Sequence, residues 1–417
     1  VTSGDGIHRR SLTVLAIGHS SVDTAQGAIP ALLPFLIDQR HLSYGAAGAL
    51  LLIMSFGSSA IQPLFGLGSD RLSLPWLLPL GVLLAGLGIA LVGLTHSYFA
   101  TAIAVGLSGL GVAAYHPEGA RFAHEVSGSR RGSGMSLYAL GGNAGFALGP
   151  ILVTPIVLLL GLRGTLLLAI LPTIVAVIVA RELSALRVVA ADKTARVAQT
   201  VGEADPDNWP AFVRLGGLIS LRSAIYFGLQ AFVPVWFIHH LDASNGVGNA
   251  ALTAMVVAGA VGTYCGGRIV DRVGRRRLVL TATAALAPIL AAFVLAPEAP
   301  AAGVLVALIG FVMISTFSTT VVMSQEYLPS RLGLASGVSL GLAIGVGGAS
   351  AAGMGLIADA YGLPTVMWLI VALSLPMLAL ARTLPVTRAD RGAQGVTSGA
   401  GAQTALAQGS SSPRPSG

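Results

Sequence analysis

The sequence predicts an all-α membrane protein with twelve transmembrane helices in two pseudo-symmetric six-helix bundles. Three observations carry this. Of 417 residues, 54% are hydrophobic and only 10% charged, with a mean hydropathy of +0.80. Soluble domains carry about 25% charged residues, so this chain cannot cover itself with a polar surface. The apolar residues fall into twelve runs, each close to the ~20 residues that cross a hydrocarbon core. Finally, a short turn recurs: Gly66, Asp70 and Arg71 share a Gly-x-x-x-Asp-Arg pattern with Gly267, Asp271 and Arg272, and each matched pair is 201 residues apart.

The runs lie at 12–37, 44–65, 75–95, 97–120, 132–159 and 162–182, then at 211–238, 247–266, 277–296, 299–325, 333–357 and 364–384. They lack the alternation of a barrel strand, and lipid forbids unpaired backbone, so helices are the only economical reading. Residues 184–209 are mixed in charge and close on Pro206 and Trp209, with Pro210 immediately after. They read as a cytoplasmic linker between an N-terminal bundle (1–183) and a C-terminal bundle (210–384). The stretch 385–417, rich in Gly, Ala, Ser and Gln, reads as a disordered cytoplasmic tail.

Net charge is +7, but the arginines gather in connections between apolar runs, which is a topology signal and gives no reason to expect nucleic acid. With both termini in the cytoplasm, all but three of the 24 basic residues fall on that side: Arg40 and Arg163 lie opposite, and Arg222 lies inside a run. Cys265 alone builds neither a disulfide nor a multi-cysteine metal site. Arg9-Arg10 precedes a run too long for a secretory signal, without a clear cleavage site. The expected partner is the bilayer, with the chain acting as a monomer and needing no cofactor.

Charges within the membrane mark a candidate site. Asp23 and Arg222 each lie 11 residues into their runs, about 16 Å deep at ~1.5 Å per residue, and buried ionisable groups are costly unless they work. His19 stands four residues before Asp23, on the same helical face, so the two can share a proton; Arg222 and Tyr226 repeat that spacing. The expectation is that Asp23, aided by His19, carries a proton while Arg222 faces it across the bundle axis and holds an anionic group, with Tyr226, Gln26, Tyr138 and Asn143 as further substrate contacts. Phe35, Tyr138, Phe146, Phe227 and Phe232 are aromatic candidates for the cavity wall. His116-Pro117-Glu118, near the expected inner end of the fourth helix, is a candidate gate or relay, with Arg121 or Arg131 available to Glu118. Gln325-Glu326 is its approximate counterpart, with Arg331 nearby. Adjacent His239 and His240, before Asp242, point in different directions and read as a solvated loop, so no metal site is expected.

Gly267-x-x-x-Asp271-Arg272-x-Gly274-Arg275-Arg276 and its echo at Gly66, Asp70 and Arg71 resemble the signature loop of the major facilitator superfamily, which falls after the second and eighth helices. The first half is similar to the fosmidomycin resistance protein branch of that superfamily through Gly18-His19-x-x-x-Asp23, Gln62-Pro63, His116-Pro117-Glu118 and Gly141-Gly142-Asn143-x-Gly145 ahead of Gly149-Pro150. The resemblance implies the major facilitator fold in a bacterial inner membrane, inner-gate roles for the signature-loop residues, and proton-driven efflux of small anionic or drug-like molecules. Two patterns of proton antiporters are incomplete. Val105 stands where a fourth-helix arginine is often found, and Ile151-Leu152-Val153-Thr154 lacks the closing glycines of the fifth-helix motif. Uptake or facilitated diffusion of a small organic anion is the alternative. A membrane enzyme is a minor one: His19-Ser20-Ser21-x-Asp23 superficially offers a nucleophile and base, but no G-x-S-x-G, phosphate-binding G-x-x-x-x-G-K-[ST] or HExxH pattern is present.

Overall fold

A computed structural model describes residues 8–59, 61, 74–127, 131–191 and 206–386, without a strand among them. The first bundle contains α1 (Arg9–Arg40), α2 (Tyr44–Ser59), α3 (Leu77–Val92), α4 (Tyr98–Val126), α5 (Arg131–Leu160) and, after a 3-10 turn at Leu162–Ala169, α6 (Ile170–Ala191). The second contains α7 (Trp209–His239), α8 (Asn245–Val273), α9 (Arg275–Val294), α10 (Ala299–Ser315, resuming as Phe317–Tyr327), α11 (Leu332–Tyr361) and α12 (Leu363–Thr383). Every predicted run therefore contains a helix. α4 to α12 have the length and hydropathy of membrane spans, whereas α2 and α3 are shorter apolar helices of 16 residues each.

Two boundaries move. α4 continues through Pro117 to Val126, and α6 continues to Ala191, past the expected end of its bundle. The first signature turn, with Gly66, Asp70 and Arg71, lies outside the described residues, as do 192–205 of the expected linker and the tail from 387.

In lipid no hydrophobic force drives one helix onto another, so close backbone contact through small residues must supply the packing. The seam between α1 and α5 works this way: a Cβ on Gly141, Gly145 or Gly149 would strike the backbone at Ala16, Ser20 or Gly27. Helix starts are set locally. Ser97, Asn208 and Ser244 accept hydrogen bonds from Ala100 N, Ala211 N and Val247 N, satisfying amides that have no partner inside their helices.

The second signature turn is tighter than a loop. Gly274, at φ +85°, alone separates α8 from α9. Gly267 makes no close approach, since a Cβ there would meet nothing within 4 Å; Gly266 makes it instead, against the Ser315 carbonyl. The starts of α1 and α7 and the ends of α4, α6 and α10 share one face. His8 N donates to Val126 O at 2.8 Å, Ser11 Oγ to Glu182 Oε1 at 2.8 Å, and Asn208 N to Tyr327 O at 2.7 Å.

Candidate functional site

Asp23 sits between two histidines from different helices. Its Oδ2 lies 3.3 Å from His19 Nε2, one turn away on α1, and its Oδ1 lies 3.0 Å from His116 Nε2 on α4. His116 was expected at a helix end; because α4 runs ten residues further, it stands inside the bundle and belongs to this cluster. Space for it comes from Gly142 on α5, where a Cβ would fall 2.7 Å from both Asp23 Oδ2 and His19 Nε2. Tyr138, expected at the substrate, is 4% exposed and stacks on His19 with ring centroids 4.2 Å apart. Tyr115 packs nearby and donates to Leu15 O at 2.6 Å.

One hydrogen bond fixes the chemistry of the cluster. His19 Nδ1 lies 2.9 Å from the Tyr138 carbonyl oxygen, which can only accept, so Nδ1 carries hydrogen. In a neutral ring Nε2 would then present a lone pair to the Asp23 carboxylate. Two acceptors facing each other need something positive between them: a proton on the imidazole or carboxyl, or a bound cation. The ligand atoms of His19, Asp23 and His116 all lie within 4.8 Å of one another, so the same spacing suits one small metal ion, an option the sequence did not suggest.

Arg222 is 5% exposed on α7, and it does not pair with Asp23. Its Nη1 donates to Thr316 Oγ1 at 3.2 Å and Thr320 Oγ1 at 3.0 Å, and its guanidinium lies 5.4 Å from the Phe317 ring centroid. Both hydroxyls spend their own hydrogens on backbone carbonyls, of Met313 at 2.9 Å and Phe317 at 2.8 Å, which leaves them as acceptors for the arginine. Nε and Nη2 have no acceptor among the described residues. The expected pairing fails on register: the 201-residue offset maps Arg222 onto Ser21, two positions and about 200° around the helix from Asp23. Sequence reasoning also missed Thr316 and Thr320, although the polar run Ser315-Thr316-Phe317-Ser318-Thr319-Thr320 in an apolar helix was a visible signal. On α7, Arg222, Tyr226 and Gln230 follow one another at spacings of four and so form a polar stripe along one side of the helix.

The remaining candidates separate. Gln26 and Asn143 are half-buried without hydrogen-bond partners among the described residues. Phe35 and Phe232 are 1% exposed and belong to the packed core, so they cannot line a cavity; Phe146 and Phe227 are half-buried. Glu118 meets Arg121 at 2.6 Å, one of its two expected partners, and Arg121 also holds Glu125 at 2.9 Å. Glu326 pairs with Arg275, whereas Arg331 lies 3.3 Å from Asp207, correcting the expected Glu326–Arg331 contact. Arg272 is exposed, and the backbone of Asp271 lies in the last turn of α8. His239 meets Asp38 at 3.4 Å while His240 stacks on Trp236, so the two rings do point apart.

Residues 15–352 match the family model described as Major Facilitator Superfamily. The chain belongs to the major facilitator superfamily. Transporters of this superfamily carry small molecules across a membrane. It is 31% identical over 356 residues to the fosmidomycin resistance protein of Escherichia coli (strain K12), covering 84% of this chain and 86% of the relative. It is 32% identical over 384 residues to the MFS-type transporter YfnC of Bacillus subtilis (strain 168), covering 90% and 92%. The fold is similar to a bacterial homolog of the human lysosomal transporter Spinster in its inward-facing, occupied conformation, with TM-score 0.76, 13% identity and coverage of 91% and 97%. A mutant of the nucleoside transporter NupG gives TM-score 0.73 at 12% identity, covering 90% and 99%. Within the superfamily fold, two polar centres stand out among the described residues: the half-buried His19–Asp23–His116 cluster in the first bundle and the buried Arg222 in the second.

Proposed function

We propose that the protein is a secondary active transporter that couples proton movement to efflux of a small anionic or drug-like molecule by alternating access, in a bacterial inner membrane with both termini in the cytoplasm. The observation that carries this reading is the pair of polar centres left electrostatically incomplete inside an apolar protein. Asp23 and His19 lack one positive charge between them, which a proton supplies, and His116 holds the other carboxylate oxygen. Arg222 keeps an unused Nε–Nη2 edge, which suits an anionic group because guanidinium and oxyanion match in charge and fork geometry. Tyr226, Gln26 and Asn143 would flank the cargo, and Tyr138 would act by fixing His19. The relation to a fosmidomycin resistance protein supports export of a compound of that kind, and the signature-turn residues Gly66, Asp70, Arg71, Gly267, Asp271 and Arg272, with Glu118, would serve the gate on the termini face.

The test is expression in a drug-sensitive bacterium, with inhibitory concentrations measured across a panel that includes fosmidomycin, and transport in vesicles. Resistance that disappears with a protonophore, and with Asp23→Asn or Arg222→Ala, is the expected result. Normal proton-dependent efflux by both variants would overturn the central-site assignment. Transport abolished by a chelator but indifferent to the protonophore would assign the cluster to a metal ion, and accumulation of a labelled anion without resistance would reverse the direction.

A further inference from the structure

On the face opposite the termini, the bundles are joined by a contact that the internal repeat does not require. α2 begins at Tyr44, and the first amides of any helix lack partners within it. Ser43, just before the helix, supplies one: its Oγ accepts from Ala46 N at 3.1 Å. Asp359, near the end of α11 in the other bundle, supplies two more. Its Oδ1 accepts from Tyr44 N and its Oδ2 from Gly45 N, both at 2.8 Å. The carboxylate also meets the positive end of the α2 dipole. Behind it the helices run backbone against backbone: a Cβ on Gly48 would lie 2.5 Å from Ala351 O, and one on Gly355 would strike Tyr44 O.

The second seam, between α5 and α8, is the pseudo-symmetric copy. Adding 201 takes Ser43 to Ser244 and Gly45 to Gly246, and subtracting 201 takes Asp359 to Leu158. The local cap repeats, since Ser244 Oγ accepts from Val247 N at 3.3 Å. The position opposite repeats as well: the nearest atom to a Cβ on Gly246 is Leu158 Cδ1, at 3.6 Å. What does not repeat is the charge. A leucine satisfies the packing of one seam, so the aspartate on the other is not there for packing.

We propose that Asp359 is a one-sided latch, a positioning residue whose carboxylate holds the two bundles together at the α2–α11 seam and so sets how readily the transporter opens on the face opposite its termini. Separation of α2 from α11 there must break both hydrogen bonds, whereas at the matching end of the α5–α8 seam Leu158 meets Gly246 without a charge. The other polar ties between the bundles on this side, Asn249 Nδ2 to Ala31 O at 3.0 Å and His239 to Asp38 at 3.4 Å, run to α1 and leave the α2–α11 seam to Asp359. The idea rests on alternating access, but it needs neither the proposed cargo nor the proton.

The experiment measures that face directly. Spin labels at His96 and Glu298, both exposed in connections on the latch face, are introduced into the full chain with Cys265 replaced by alanine, and their distance distribution is recorded in lipid. In Asp359→Leu, which copies the other seam, the ratio of long to short distances rises about threefold to tenfold, the range produced by losing a capping carboxylate. Asp359→Asn, with one acceptor oxygen and no charge, falls between. Leu158→Asp, which builds a second latch, lowers the ratio, and as a gain of contact this outcome does not arise from misfolding. Unchanged distributions in Asp359→Leu and Leu158→Asp overturn the latch. Because the readout contains no substrate, failure of the export assignment leaves the result standing.

Discussion

At the scale of single residues, the site depends on a side chain that is absent. Gly142 leaves the room in which His19 and Asp23 meet, and a methyl group there would lie 2.7 Å from both. On the proposed role of the cluster, Gly142→Ala should reduce transport about tenfold or more, toward the ~100-fold or larger loss of a positioned acid–base group, while membrane expression stays near normal; vesicle uptake beside an immunoblot checks this. The composition made Asp23 and His19 conspicuous, because an ionisable group in an apolar run stands out. Gly142 was visible only as one glycine among 54, and what a glycine makes room for depends on a neighbouring helix. His116 was placed at a helix end for a related reason: the apolar run stops at residue 120, but α4 continues to Val126, because neighbouring helices in a bundle can satisfy the backbone groups that Pro117 frees.

At the scale of helices, the seams decide stability. Gly145 packs directly on the Ser20 carbonyl, so Gly145→Val must push α5 away from α1, and overpacking of this kind costs about 1–3 kcal/mol or more. A lower yield of monodisperse protein and a lower melting midpoint in detergent are expected, in contrast to Gly267→Ala, which has open space around it. Helix number and order were legible from the hydropathy runs, because each helix must cross the same slab. The relative rotation of the helices was not. Arg222 and Asp23 lie at similar depths, yet the 201-residue register turns them to different sides of corresponding helices, and depth alone carries no azimuth.

At the scale of the whole molecule, the duplicated halves were legible from the repeated turn, while the difference between their seams needed coordinates. The arrangement of basic residues makes one further claim, that the termini face is cytoplasmic. A single cysteine at Arg214, exposed on α7 at that face, in a chain with Cys265 replaced, should react with an impermeant maleimide in inside-out vesicles and be protected in whole cells. The opposite pattern would invert the topology.

The turn at Gly274 affects how such a molecule moves. One residue joins α8 to α9, Arg275 ties it to Glu326 on α10, and Arg276 donates to the carbonyls of Leu384 at 2.6 Å and Arg382 at 3.0 Å at the end of α12. Four of the six helices are thus riveted at one end. The basic turn braces one end of the second bundle, and under the proposed alternating access that bundle would turn as one body, with the give at the surfaces where the bundles meet.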